Sequence, residues 1–286
     1  MLKSLNSGVS GVRNFQNQID VIGNNIANVN TTGFKSARVD FADTFSQAIQ
    51  SGSADGETAS INQIGTGVTA ASVRNQFTSG GLTQTGRQTD FAILGDGFFA
   101  VREPSGDTLM ATRAGNFSID NQGYLVTNNG YRVQGYIDST GQVSGDVKVD
   151  DDPANRPQGV NQNAEFTGLR FADNGKIYAQ LDDGSEYLRG QILLQTFQNP
   201  HALAKVGNNL YTNVAEAGPL GGDTPTGGEP GSVGLGTLQN ATLELSNVDL
   251  TNEFASLIAS QRSFQANARM ITTSDEVLQE VVNLKR

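Results

Sequence analysis

The sequence predicts a mainly β body looped out from a long α-helical coiled-coil pair formed by the N- and C-terminal segments. Three observations carry that expectation. Each end holds an apolar stripe at helical spacing, the middle is punctuated by turn signals at short intervals, and the stretches between are poor in apolar residues. Two terminal helices separated by more than 200 residues must bury their stripes on something. Each is the nearest candidate partner of the other.

The first stripe runs Leu2, Leu5, Val9, Val12, Phe15, Ile19, Ile22, Ile26 and Val29, in steps of three or four residues. It predicts one helix of about 28 residues. Asn30-Thr31-Thr32-Gly33 reads as its stop, because Gly33 can take a positive φ. Residues 35–72 are expected as a linker and extension, lowest in order-forming residues from Ser51 to Ser60.

Residues 73–217 read as the β body. Phe91-Ala92-Ile93-Leu94 predicts a strand ended by Gly95-Asp96-Gly97, and Phe98-Phe99-Ala100-Val101 resumes it. Turns are expected at Asn121-Gln122-Gly123, Asn128-Asn129-Gly130, Asp173-Asn174-Gly175 and Asp182-Asp183-Gly184. Ile192 to Phe197 is the strongest later strand, closed by Pro200. This spacing describes hairpins in a small barrel or sandwich. Residues 138–165 read as a reduced insertion or an exposed loop. Residues 218–245 read as a return linker and strand, with Gly and Pro dominant from Gly218 to Gly236.

The second stripe is more regular. Leu250, Phe254, Leu257, Gln261, Phe264, Ala268, Ile271, Asp275, Leu278 and Val282 alternate in steps of four and three. A helix over 250–284, capped by Asp249 or Ser246, would be roughly 50 Å long at 1.5 Å per residue. A heptad stripe of that length wants a partner helix. Gln261 and Asp275 fall on it, either as flaws on a partly wet face or as residues that fix register. Residues 1–34 and 246–286 together form the expected helical assembly domain. Its interface is assigned to Leu5, Val9, Val12, Ile19, Ile22 and Ile26 on the first helix. On the second it is assigned to Leu250, Phe254, Leu257, Gln261, Phe264, Ala268, Ile271, Leu278 and Val282. Ile258, Met270 and Val281 remain for other subunits.

Composition removes most chemistry. The 286 residues hold no Cys, no Trp and one His, so thiol nucleophiles, disulfides and Cys- or multi-His metal sites are excluded. Asp and Glu number 29 against 19 Lys and Arg, a net charge of −10, with no basic run; nucleic acid is not an expected partner. Charged residues are only 17% of the chain while Asn and Gln supply roughly one residue in six, a surface suited to packing like subunits. No window is apolar for long enough to span a membrane. The first residues are interrupted by Arg13, Asn14, Gln16, Asn17, Gln18 and Asp20, against a cleaved signal peptide.

The carboxylates at Asp90, Asp96, Asp182, Asp183 and Glu186 sit in ordinary turn sequences, and His201 has no nucleophile or acid pointing to it. Gly65-Thr66-Gly67 and Gly95-Asp96-Gly97 carry no Lys and open no helix, unlike phosphate loops. Tyr124, Tyr131, Tyr136, Tyr178 and Tyr187 lie among β segments, where hairpin packing explains them better than ligand stacking. No enzyme, cofactor or metal is expected, and a self-assembling structural subunit ranks first.

The residues also resemble a known family. Ile19 to Lys35, through Gly23-Asn24-Asn25-Ile26-Ala27-Asn28, is similar to the opening motif of bacterial flagellar axial proteins, the group of rod and hook subunits. Gly95 to Phe99, Thr112 to Ser118 and Gly130 to Tyr136 resemble its middle motifs. Ser246 to Leu250 and Gln261 to Asn267 resemble its closing helix. The match brackets nearly the whole chain. Within the family, Phe41 to Phe45, Ser263 to Asn267 and Val281 to Leu284 favour a hook reading, a universal joint passing torque from rod to filament. The short length favours the alternative, a distal rod subunit acting as a stiff drive shaft. The resemblance implies export through the flagellar type III apparatus without a cleaved signal, to the basal body or hook. The partners it implies are copies of the chain itself, rod and hook–filament junction proteins, and a hook cap. It implies no membrane insertion.

Overall fold

A computed structural model describes the chain except residues 1, 45, 51–61, 107, 139–142, 151–155, 158, 159, 163, 221–226, 233, 285 and 286; at 2, 3, 46–50 and 62–64 it describes the backbone. The protein is mainly β with one long helix at each end, α1 (Leu2–Ala27) and α2 (Leu250–Leu284). Contacts group it into two compact units. One comprises residues 1–29, 36–76 and 248–286, the other 30–35 and 77–247.

In the first unit the two helices lie against each other in antiparallel sense, since Gly8 abuts Ile271 and Gly11 abuts Asn267 while Asn25 meets Glu253. The same unit contains β structure where a linker is expected. Strands β1 (Ala37–Asp43), β2 (Ser46–Gln50), β3 (Asn62–Gly65) and β4 (Val68–Asn75) pair antiparallel, β1 with β4 and β2 with β3. Strand β1 carries only a short periodic signal. Ala37, Val39 and Phe41 alternate with Arg38 and Asp40 over five residues, Val39 being the buried one, until a register shift between Asp40 and Phe41 ends the pattern. The stretch Ser51 to Ser60 lies outside the described residues.

Among the described residues the second unit holds an antiparallel 13-stranded sheet and two antiparallel two-stranded ladders, Phe91–Leu94 with Thr237–Asn240 and Leu82–Gln84 with Thr242–Glu244. The main path of the sheet runs through strands 166–171, 176–181, 186–192, 132–136, 98–102, 109–112, 210–212 and 204–207. The strand Lys176–Leu181 alternates half-buried and buried residues, as a one-sided strand should. In contrast, Phe91-Ala92-Ile93 and Phe98 to Val101 are buried throughout. Phe91, Phe99, Phe117 and Phe171 pack edge-on or tilted at centroid separations of 5.0–6.3 Å. The expected turn glycines Gly95, Gly97, Gly123, Gly130, Gly175 and Gly184 all have positive φ.

Parts of the expected insertion or loop at 138–165 and of the return linker at 218–245 are built into this core. Strand Ser144–Asp146 pairs with Arg132–Tyr136, and Val147 and Val149 are buried, so that part of 138–165 is no exposed loop. Gly228 bridges to Leu194, and Gly227 packs against the Leu194 carbonyl, drawing part of the return segment onto the body.

Candidate assembly interface

Two heptad columns are superimposed on α2, and the sequence pattern alone does not separate them. Leu257, Phe264, Ile271 and Leu278 are shared, seven residues apart, and all four are half-buried. The expected second column, Phe254, Gln261, Ala268, Asp275 and Val282, is mostly turned to solvent, with Phe254 at 48% and Val282 at 65% exposure; Leu250 is exposed as well. The column facing α1 instead is Glu253, Ser260, Asn267 and Ser274. Ser260 is the buried residue of α2, its hydroxyl satisfied by Ser256 O at 2.8 Å.

The physical reason lies on α1. A Cβ at Gly8 would stand 3.2 Å from Ile271 Cγ1, and one at Gly11 would stand 3.0 Å from the Asn267 amide. The two glycines opposite Ile271 and Asn267 let the backbones approach more closely than any side chain at positions 8 and 11 would allow. Gln261 and Asp275 are exposed, on the wet face of the helix. On α1, Ile22 is buried, and Leu5, Val9, Val12, Ile19 and Ile26 are half-buried.

Sequence reasoning missed two asparagines that tie the strands to the helix. Asn25 Nδ2 donates to Ala37 O at 2.9 Å, and its Oδ1 accepts from Ala37 N–H at 3.0 Å, copying a ladder pair. The same Nδ2 lies 3.1 Å from Glu253 Oε1. Asn14 does likewise with β4, donating to Val68 O at 2.7 Å and accepting from Ala70 N–H at 2.9 Å. Both amides are buried. Eleven residues amount to nearly three whole turns, so the two point the same way; that spacing was the available signal. Burial raises the Glu253 carboxyl above its ordinary range, a shift the Asn25 hydrogen bond opposes and nearby Asp249 adds to.

In the second unit the family-like motifs converge on a buried ionic cluster. Lys35 Nζ donates to Glu244 Oε1 and to Thr78 O, each at 2.7 Å, and Gly80 N–H donates to the same carboxylate at 2.9 Å. The Arg113 guanidinium lies 3.5 Å from Glu244 Oε2 and donates to Gly95 O at 3.0 Å. All three side chains are sealed from solvent. Burial lowers the Lys35 and Arg113 pKa values, against the pull of Glu244 on both. Beside them Gly33 holds φ +68°, and a Cβ there would sit 2.6 Å from Ala114 N, so no other residue fits.

Comparison with known proteins assigns the family. Residues 5–35 match the family model for flagella basal body rod proteins, 92–179 the flagellar hook protein FlgE/F/G D1 domain, and 239–284 the flagellar basal body rod FlgEFG C-terminal region. The chain is 43% identical to the flagellar basal-body rod protein FlgG of Bacillus subtilis, with 100% of each chain covered. The chain belongs to the flagellar rod and hook family of axial proteins. Members of the family are structural, and this one is a structural protein rather than an enzyme.

Within the family the comparisons favour the rod over the expected hook. FlgG of Borreliella burgdorferi is 33% identical, again over 100% of both chains. The flagellar hook protein FlgE of the same organism is 29% identical over an alignment that extends to 450 residues.

Proposed function

We propose that this chain is a distal rod subunit, assembling with copies of itself into the stiff tubular shaft of the flagellar basal body. The observation that carries the reading is its end-to-end match with rod proteins of its own length. A hook relative needs a much longer alignment. The helix pair supports assembly. Once α1 has covered the column Glu253, Ser260, Asn267 and Ser274, the apolar residues Leu250, Phe254, Ile258, Met270, Val277, Val281 and Val282 are left exposed on α2. A solvated helix has no reason to carry them, and neighbouring subunits would cover them while supercoiling the pair.

On this reading the interface residues divide in two. Leu257, Phe264, Ile271 and Leu278 hold the helices together within a subunit, whereas Leu250, Phe254 and Val282 meet the next one. Export through the flagellar type III apparatus without a cleaved signal fits this role. So do neighbours drawn from the other rod proteins and the hook, whereas hook-cap and hook–filament partners belong to the hook reading. Immunogold labelling of purified basal bodies tests the assignment. Label on the rod is expected, together with loss of both distal rod and hook in a strain lacking the gene. Label confined to the hook overturns it.

A further inference from the structure

Three turns of the β body surround a cleft of about 370 Å³. They are the segment 30–32, the hairpin tip at 127–129 and the hairpin tip at 208–210, with Thr112, Ala114 and Asn116 along one wall. No charged and no aromatic side chain lines it. Its frame is rigid. Asn209 Nδ2 donates to Thr32 O at 2.7 Å, Thr112 Oγ1 donates to Asn209 O at 2.8 Å, and Tyr131 N–H donates to Thr127 Oγ1 at 3.2 Å. Asn208 and Asn209 hold φ of 52° and 58°, the left-handed pair of a tight hairpin turn.

The asparagines around this frame are open to a partner. Among the described residues, the side chains of Asn30, Asn116, Asn128, Asn129 and Asn208 make no hydrogen bond, although they stand around one concavity. Elsewhere the chain shows what such a group does, for Asn14 and Asn25 each clasp the N–H and C=O of an extended strand.

We infer that this cleft receives an extended, uncharged stretch of backbone from a second copy of the chain, held by the asparagine amides. The chemistry narrows the occupant. A lining without charge gives an ion no counter-charge, and a lining without rings gives a sugar or base no face to stack on. Peptide backbone needs donors and acceptors in equal number, and an amide side chain supplies both. Copies that each carry −10 repel one another, so they meet at least electrostatic cost where no charge is present. The preformed frame lowers the ordering cost of such a contact. The inference rests on the self-assembly reading and adds a second contact to it, independent of the helices.

The test uses the full-length chain. A photo-crosslinking residue at position 208 (Asn208→p-benzoylphenylalanine) should join one copy to another in assembled polymers, through a backbone segment mapped by mass spectrometry. Asn128→Asp with Asn208→Asp should slow assembly about tenfold with an unchanged monomer melt, since losing the two amide donors together weakens the contact by about that factor. Asn128→Ser with Asn208→Ser, still able to donate and accept, should recover part of the rate; it also serves if the aspartates impair folding. Crosslinks to no second copy, or normal assembly of both double variants, overturn the inference. If Phe254→Asp meanwhile abolishes polymers, the helix-borne reading survives alone. Saturable shifts of these amide resonances on adding N-acetylglucosamine oligomers would make the cleft a saccharide site and overturn it equally.

Discussion

Lys35 and Glu244, 209 residues apart in sequence, meet at 2.7 Å with both side chains at 0% exposure. The contact fastens the segment after α1 to the strand before α2 inside one unit. Glu244→Ala would leave two buried cations facing each other, at a cost of about 3–5 kcal/mol. Replacing the pair together, Lys35→Met with Glu244→Leu, should cost clearly less than the sum of the two single changes, because no charge is stranded. Urea unfolding of the singles and the double reads the coupling, and simple additivity would show that the pair does not act as one.

Asn25 serves one strand and one helix at once. Asn25→Ala removes three hydrogen bonds from a buried position, and destabilisation of about 2 kcal/mol or more is expected. Amide exchange at Ala37 and Val39 should quicken more than exchange in the β body. Equal quickening everywhere would assign the loss to global stability rather than to this clasp.

Two glycines of α1 should respond in opposite directions. Gly23 is exposed, and a methyl group added there would have nothing within 4 Å, so Gly23→Ala should stabilise by about 1 kcal/mol through helix propensity. Gly11→Leu meets Asn267 and should destabilise by about 2 kcal/mol by forcing the helices apart. Thermal melts that move the same way for both would contradict the close approach.

Exposed and shared positions on α2 separate folding from assembly. Phe254→Asp should leave the monomer melt unchanged and block polymers, because Phe254 is half exposed in the free subunit. Leu257→Asp should lower monomer stability first, by placing a carboxylate against α1. Electron microscopy and melting of both variants decide it, and normal tubes from the Phe254 variant would remove this face from the interface.

Two carboxylates give opposite pH dependence. Glu253 is raised by burial, so its contribution is fully present below its ordinary 4.5 and is lost as pH rises through the higher folded value. Burial pushes Asp146 up, but hydrogen bonds from Gln134, Arg102 and Arg132 outweigh it and hold the carboxyl below 3.8. Its contribution is present above that value and lost as pH falls through the folded one. In melts followed through the acid range, Asp146→Asn should flatten the loss at the low end, and Glu253→Gln should remove the decline on raising the pH. An Asp146 variant that keeps the full acid loss would place its cause elsewhere.

The sequence by itself determined the helical ends, the turn positions and the family. These depend on neighbours along the chain. A 4,3 stripe sets a helix face, and Gly95, Gly123 or Gly175 sets a reversal wherever it lies. Tertiary structure alone decided which face of α2 meets α1. Leu257, Phe264, Ile271 and Leu278 belong to both columns, and residues far away on α1, Gly11 opposite Asn267 and Asn25 bonded to Glu253, favour the polar one over Phe254 and Val282. It also decided that Ala37–Asp43 pairs with Val68–Asn75 beside the first helix, since Asn14 and Asn25 hold those strands with hydrogen bonds that exist only once the segments have met. Periodicity is written locally, whereas the choice of partner is a sum over contacts that exist only once distant segments have met.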